Sequence, residues 1–366
     1  MKRKSVILVL LVLLLTGCGA KKQPNTLTIT TESQIPTTPL PTTQTEDAST
    51  VILPIVPVPE PVVELDYEVV KPNEMGNILV VMYHGIYDNQ PYHIPAEQFR
   101  RDLQYMYDNG YRLISMSDYL SGQIDIPAGT TPIVLTFDDG LPTTFSLEER
   151  EGQLVPVKDT AVYIIEEFSD KYPDFGRNAI FYVNTSNGMF TGAGTEQERL
   201  QWLVDRGYEV STHTDTHINM DKAPKDLLLK EIGGSIIKLH DLLGEEYVME
   251  SFAYPFGSKP SGELEKYVLD GTYENSTYSF KIGLAVGASG PFVTPYHINF
   301  NKYKAPRARG SEGDIQDLWW FFKDYEKNPQ KKYISDGMID RLSVPAGKEE
   351  NINKEALPEG IEIYIY

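Results

Sequence analysis

Cysteine is almost absent: the 366 residues contain one, Cys18. No disulfide can close within the chain, and no cysteine-based zinc site can be built. Basic residues are outnumbered, with 33 Lys and Arg against 52 Asp and Glu, a formal net charge of -19. That balance argues against a nucleic-acid partner, which would need a basic face to meet phosphates. Long apolar runs are also missing. The run 6–15 is too short to cross a ~30 Å hydrocarbon core as a helix. Histidine is scarce, at six residues. Hydrophobic residues are not scarce, at 41% of the chain with 23 Tyr and 14 Phe. A sizeable core can therefore be buried.

Lys2, Arg3 and Lys4 precede that short apolar run, the order of a secretory signal. It ends in Leu15-Thr16-Gly17-Cys18. This resembles the lipobox of bacterial lipoproteins, in which the cysteine is lipidated and becomes the first mature residue. The resemblance implies a signal peptide over 1–18, an extracytoplasmic location and a lipid anchor on Cys18. Residues 19–75 are rich in Thr and Pro, as in Pro36-Thr37-Thr38-Pro39 and Pro57-Val58-Pro59. Such a stretch favours extended, solvated backbone and reads as a tether. The alternative for 51–63 is an edge strand packed on the domain.

From Ile78 onward, short apolar runs alternate with longer helical patterns. Ile78 to Tyr83, Ile133 to Phe137, Ala179 to Val183, Tyr208 to Thr212, Ser251 to Tyr254 and Ile282 to Val286 read as strands. Ala96 to Asn109, Lys158 to Asp170, Glu196 to Arg206, Lys222 to Leu243 and Asp314 to Lys327 read as helices. The alternation implies βαβ units, an α/β class and a mainly parallel sheet. In such a sheet the working site lies at the carboxyl ends of the strands. Asp138 and Asp139, His213, His84 and Pro255-Phe256-Gly257 each follow a strand directly.

Two elements carry chemistry. Thr136-Phe137-Asp138-Asp139-Gly140 places adjacent carboxylates at a strand end, where one can face a cation and the other a water. Taken alone, it reads equally as a solvated Asp-Gly turn. His213-Thr214-Asp215-Thr216-His217 is not the helical HExxH of zinc proteases, because no Glu follows His213. As a loop after a strand, it can turn two imidazoles toward one point. Two imidazoles and a carboxylate leave an open position for water, the usual form of a catalytic zinc site. Two surface histidines remain the plainer reading of that motif alone.

Taken together, these elements resemble the polysaccharide deacetylases (the NodB-homology domain, carbohydrate esterase family 4). Asn178-Ala179-Ile180-Phe181-Tyr182-Val183 and Phe252-Ala253-Tyr254-Pro255-Phe256-Gly257 resemble further family motifs, over a span from about Val80 to Arg309. The resemblance implies a catalytic domain over 76–366, folded as a distorted (β/α)7-type barrel with mainly parallel strands. It implies metal-dependent removal of N-acetyl groups from N-acetylglucosamine-containing polysaccharide. Asp139, His213 and His217 would hold the metal, Zn2+ by default with Co2+, Ni2+ or Mn2+ as alternatives. Asp138 would be the base. An amide N–H near Tyr254, Pro255 and Phe256 would meet the oxyanion, with Tyr254 and Phe256 at the rim. No late Leu-x-His motif follows Pro255. Tyr83-His84 resembles instead the circularly permuted branch of extracellular poly-N-acetylglucosamine deacetylases, in which His84 would be the acid. The third motif has Ala253 where the family carries the Arg that orients the base, and Arg307 is the candidate replacement. An O-acetyl esterase and a non-catalytic carbohydrate-binding lipoprotein are the competing expectations. Leu141 to Arg177 is unusually long and reads as a substrate loop or a decorated helix. Trp319 and Trp320 read as core.

Overall fold

A computed structural model describes residues 65–87, 92–287 and 290–366. Cys18, the signal sequence and most of the tether lie outside the described residues. The tether boundary moves inward. Residues expected to be extended as far as 75 include a short helix α1 (Tyr67–Val70), capped by the Asp66 side chain. Asn73, Glu74 and Met75 are buried. The Glu74 carboxylate accepts from Asp336 N at 3.1 Å and Ser343 N at 2.6 Å, which binds this segment to the far end of the chain.

Next in order come β1 (Leu79–Tyr83), α2 (Ala96–Asp108), β2 (Tyr111–Leu113), α3 (Met116–Ser121) and β3 (Thr131–Asp139). They are followed by β4 (Ser146–Arg150), β5 (Gln153–Pro156), α4 (Ala161–Lys171), β6 (Ile180–Val183) and β7 (Thr191–Gly192). The next group is α5 (Glu196–Val204), β8 (Glu209–Thr212), α6 (Lys225–Leu243), β9 (Ser251–Ala253) and α7 (Lys266–Leu269). The remainder is β10 (Asp270–Tyr273), β11 (Ser276–Ser279), β12 (Ile282–Leu284), β13 (Ala308–Arg309), α8 (Leu318–Lys327), β14 (Arg341–Val344) and β15 (Glu362–Ile365).

The main sheet runs β13-β1-β3-β6-β8, with β2 also on β3. Every pairing in it is parallel. The β9–β12 pair is parallel too but forms a separate sheet, and among the described residues the strands do not close a ring. This is the α/β arrangement with parallel strands that the alternating pattern predicted.

Both faces of the sheet are buried, and alternation along each strand decides which residue goes where. Leu79, Val81, Tyr83, Ile133, Leu135, Phe137, Phe181 and Val183 face the helices in the larger core. Val80, Val134, Ile180 and Tyr182 face the opposite side, with Ile282 and Leu284. Thr136 and Asp138 share that second face by register.

The segment 141–177 contains more than a helix. It opens with the antiparallel β4–β5 hairpin, and β7 pairs with β4. α8 starts at Leu318, later than the pattern from Asp314 predicted. Trp320 is 40% exposed, because it falls on the outer side of that helix and not in the core. Trp319 is partly buried and donates its Nε1–H to Asp102 at 2.7 Å.

Asp102 also accepts from Tyr83 Oη at 3.1 Å. Burial still pushes its carboxyl up to about 7, the Trp319 and Tyr83 donors pulling back only in part. The folded chain therefore keeps a proton that an unfolded Asp, with a pKa of about 3.9, has already lost. The resulting stability is complete below about pH 4 and is lost as pH rises through about 7. Thermal midpoints are thus expected to fall between about pH 5 and about pH 8. Asp102→Asn is expected to flatten that fall, and an unchanged pH slope in the variant would refute the assignment.

Candidate metal and catalytic site

The site forms where β1, β3, β8 and β9 end together. Asp138 and Asp139 are the last residues of β3. In a regular strand they would point to opposite faces, but Asp139 has a φ of 75° and turns out of the strand. Asp138 stays on the face it shares with Thr136, fully buried, while Asp139 reaches the rim. His213 follows β8 directly, its amide bonded to Val183 O at 2.9 Å. Thr214 and His217 both adopt positive φ, 68° and 58°, which curls the chain so that two imidazoles converge.

One oxygen or nitrogen from each of Asp139, His213 and His217 can be chosen so that all three lie within 4.8 Å of one another. His217 Nε2 is 3.5 Å and His213 Nε2 is 3.7 Å from Asp139 Oδ1. Tetrahedral zinc with bonds of about 2.0–2.1 Å places its ligand atoms about 3.3 Å apart, so these gaps suit a cation. Two further observations fit the same group. Asp139 Oδ1 is buried without a hydrogen-bond partner among the described residues. His213 Nδ1 lies 2.7 Å from Ala253 O. A carbonyl only accepts, so Nδ1 carries the proton and Nε2 presents a lone pair, the orientation usual for a metal-bound imidazole. Burial also lowers the His213 pKa to about 4, with Asp138 opposing, which keeps the ring neutral at ordinary pH.

Asp138 is held by Arg307. Nη1 meets Oδ1 and Nη2 meets Oδ2, both at 2.7 Å, with neither residue exposed. The guanidinium is itself fixed by Ala285 O at 2.9 Å and Thr136 Oγ1 at 3.0 Å. Thr136 and Asp138 are two apart on one strand face, so a single guanidinium spans both. Burial pushes the Asp138 carboxyl up, but the Arg307 charge outweighs it and holds the group well below the usual carboxylate range. Asp138 Oδ2 is 4.0 Å from His213 Nε2 and so faces the ligand cluster. Ala253 leaves the Arg position of its own motif empty, and Arg307, reaching in beside β13, stands against the same carboxylate.

His84 follows β1, with Nε2 4.0 Å from Asp139 Oδ2 and Nδ1 buried without a partner among the described residues. Burial lowers its pKa, while Asp138 and Asp139 push it back up. His93 accepts from the Gly85 amide at 2.8 Å and steadies the turn just after His84.

The third motif departs from expectation. Tyr254 is fully buried, its hydroxyl donating to Tyr303 O at 3.0 Å. Its amide donates to Leu284 O at 3.0 Å, because the β9–β12 ladder continues through it. Tyr254 is therefore neither a rim aromatic nor an oxyanion donor. Pro255 has no N–H. Phe256 has a φ of 57°, and its amide carries no hydrogen bond among the described residues. Its ring is 64% exposed and sits edge-on to His217 at 4.4 Å. Beside this turn lies a cavity of about 510 Å3 lined by residues including Ala285, Val286, Asn299, Asn301 and Lys304.

Residues 125–268 match the family model for polysaccharide deacetylase, a span that includes Asp138, Asp139, His213, His217 and the Pro255-Phe256-Gly257 turn. Over that span the chain is similar to the polysaccharide deacetylases. A Bacillus subtilis (strain 168) protein named "Putative polysaccharide deacetylase YxkH" is 20% identical over 157 residues, which is 42% of this chain. The match spans about half of that relative, 47% of its length. A polysaccharide deacetylase structure from Bacillus cereus is 21% identical with a TM-score of 0.50, covering 68% of this chain and 69% of that one. The structure of IcaB from Ammonifex degensii is 18% identical with a TM-score of 0.46, covering 67% and 96%. His84 and Arg307 lie outside the matched span, and the fold brings both beside Asp138 and Asp139.

Proposed function

We propose that this protein is a metal-dependent hydrolase that removes N-acetyl groups from N-acetylglucosamine-containing polysaccharide outside the membrane, anchored by lipid on Cys18. The observation that carries the catalytic reading is the buried Arg307–Asp138 pair facing Asp139, His213 and His217. A structural ion pair has no need of three converging ligand atoms beside it. The lipid anchor rests on the lipobox-like sequence around Cys18 alone.

Asp139, His213 and His217 would hold a divalent cation, Zn2+ being the default for this donor set. Such a cation supplies an acidified water, with a pKa brought to about 7, and polarises the acetyl carbonyl. Asp138 is the proton acceptor that faces this point. Arg307 keeps it charged throughout the working pH range and fixes the direction of its lone pairs. The free Phe256 amide replaces Tyr254 as the donor for the developing oxyanion, in a position fixed by its turn. An amine leaving group needs a proton, and His84, on the far side of Asp139, is placed to give it. The exposed Phe256 face and the neighbouring polar cavity offer a sugar ring one apolar surface and several amide partners.

The test is acetate release from chitooligosaccharides, poly-N-acetylglucosamine, peptidoglycan and acetylxylan. Release from the N-acetylated glycans is expected; release from acetylxylan alone would replace the reading with an O-acetyl esterase. His84→Ala is expected to slow amide hydrolysis about 10²–10⁴-fold, in the range for a lost general acid. A phenyl ester, whose leaving group needs no proton, is expected to be much less affected. An equal loss on both substrates would remove His84 as the acid.

A further inference from the structure

Two ligands, His213 and His217, come from one five-residue loop in which Thr214 and His217 both hold positive φ. A left-handed conformation is disfavoured for a non-glycine residue, so something must hold this loop. The neighbouring helix does. Glu231 lies on α6, on the same face as Leu228, Ile232, Ser235 and Leu239, and is 5% exposed. Its Oε2 accepts from Thr216 N at 2.9 Å and its Oε1 from Thr216 Oγ1 at 2.8 Å. Its main-chain carbonyl accepts from Asp215 N at 3.0 Å. One helical residue thus takes three hydrogen bonds from the two loop residues that precede His217.

One turn further along the helix, Ser235 bonds to the Thr212 hydroxyl, and Thr212 Oγ1 in turn accepts from Thr214 N at 3.0 Å. Within the loop, the His217 amide donates to Thr214 Oγ1 at 3.0 Å. The other side is held from the turn after β6. There Asn184 donates to His213 O, and Thr185 and Ser186 donate to Asp215 Oδ1 at 2.7 and 2.6 Å. Of all these anchors, only Glu231 brings a buried carboxylate between the two ligands.

We infer that Glu231 is a positioning residue whose carboxylate pre-forms the His213–His217 pair and thereby sets the metal affinity of the site. It touches neither metal nor substrate; it acts through Thr216. The inference rests on the reading of Asp139, His213 and His217 as metal ligands. Outer partners that orient ligands typically contribute about 10–100-fold in affinity. Glu231→Ala is expected to weaken binding by about that factor. Glu231→Gln is expected to be intermediate. Its single amide oxygen replaces one acceptor, and its NH2 can be met only if the Thr216 hydroxyl turns to accept.

The experiment is zinc titration of the metal-free full-length protein against a chromogenic chelator. Thermal midpoints are recorded in parallel, and kcat and KM are measured in excess zinc. The expected result is weaker zinc binding in the order wild type, Gln, Ala. With zinc in excess, kcat is expected to recover toward wild type and KM to stay unchanged. Wild-type affinity in both variants would overturn the inference, as would a lower midpoint with affinity per folded molecule unchanged. If the Ala variant does not fold, Glu231→Gln and Thr216→Val carry the same comparison. A wild-type protein that binds no zinc, cobalt, nickel or manganese would overturn the metal reading itself, before any variant is compared.

Discussion

Replacing Arg307 with Met is expected to destabilise the folded protein by about 3–5 kcal/mol and to abolish measurable turnover. Asp138 and Arg307 are both fully buried and joined by two 2.7 Å contacts. Removal of the guanidinium leaves a carboxylate in an apolar setting with no compensating charge, and that isolation is the costly part. The group must then either remain charged at great expense, without the guanidinium that directs its lone pairs, or take up a proton and cease to be a base. The double variant Asp138→Asn with Arg307→Met separates the two consequences. Its stability is expected to recover most of the loss, because no unpaired charge remains, while its turnover stays absent. Denaturant midpoints on the wild type, the two single variants and the double variant complete the cycle. Strictly additive losses would show that the pair is not coupled in the way the geometry demands. Arg307→Lys is no substitute, since an ammonium cannot reach Ala285 O, Thr136 Oγ1 and both carboxylate oxygens at once.

The second large effect divides binding from chemistry. His213→Ala is expected to remove bound metal and acetate release together, because the ring is buried, pre-oriented by Ala253 O and one of the three candidate ligands among the described residues. Asp138→Asn is expected to keep the metal and to lose turnover by about 10²–10⁴-fold, the range for a lost general base. Metal content by elemental analysis, set beside acetate release, reads both. A His213→Ala protein with full metal content would sink the ligand assignment, and an active Asp138→Asn protein would remove Asp138 as the acceptor. Acid should reproduce the first loss in the wild type. The imidazole of His213 must be neutral to hold a cation, and its pKa is lowered to about 4 by burial. Metal is therefore expected to be retained into mildly acidic solution and released in stronger acid, where protons compete for the ligand atoms.

Much of the site is legible because its ligands come from short contiguous motifs. Asp138-Asp139 and His213 to His217 are each local, and strands that alternate with helices place both at the same sheet edge. The positioning residues are less visible. Glu231 leaves a trace, a charged residue on the apolar face of α6, but nothing in the sequence names Thr216 as its partner. Asp102 leaves a similar trace on α2 without naming Tyr83 or Trp319. Tyr254 misleads, since its motif position suggests the rim while the β9–β12 ladder buries it.

The sequence by itself determined the parallel α/β architecture and the candidate metal ligands, because periodicity and short motifs are local properties of the chain. Only the tertiary structure decided how Asp138 is held. Its partner Arg307 stands 169 residues away, and no local pattern ties the two together. That pairing exists because β1 and β3 lie side by side and β13 is added at the edge of β1, a matter of sheet order that composition and spacing do not encode. The same holds for His84, brought beside Asp139 by the parallel register of β1 on β3.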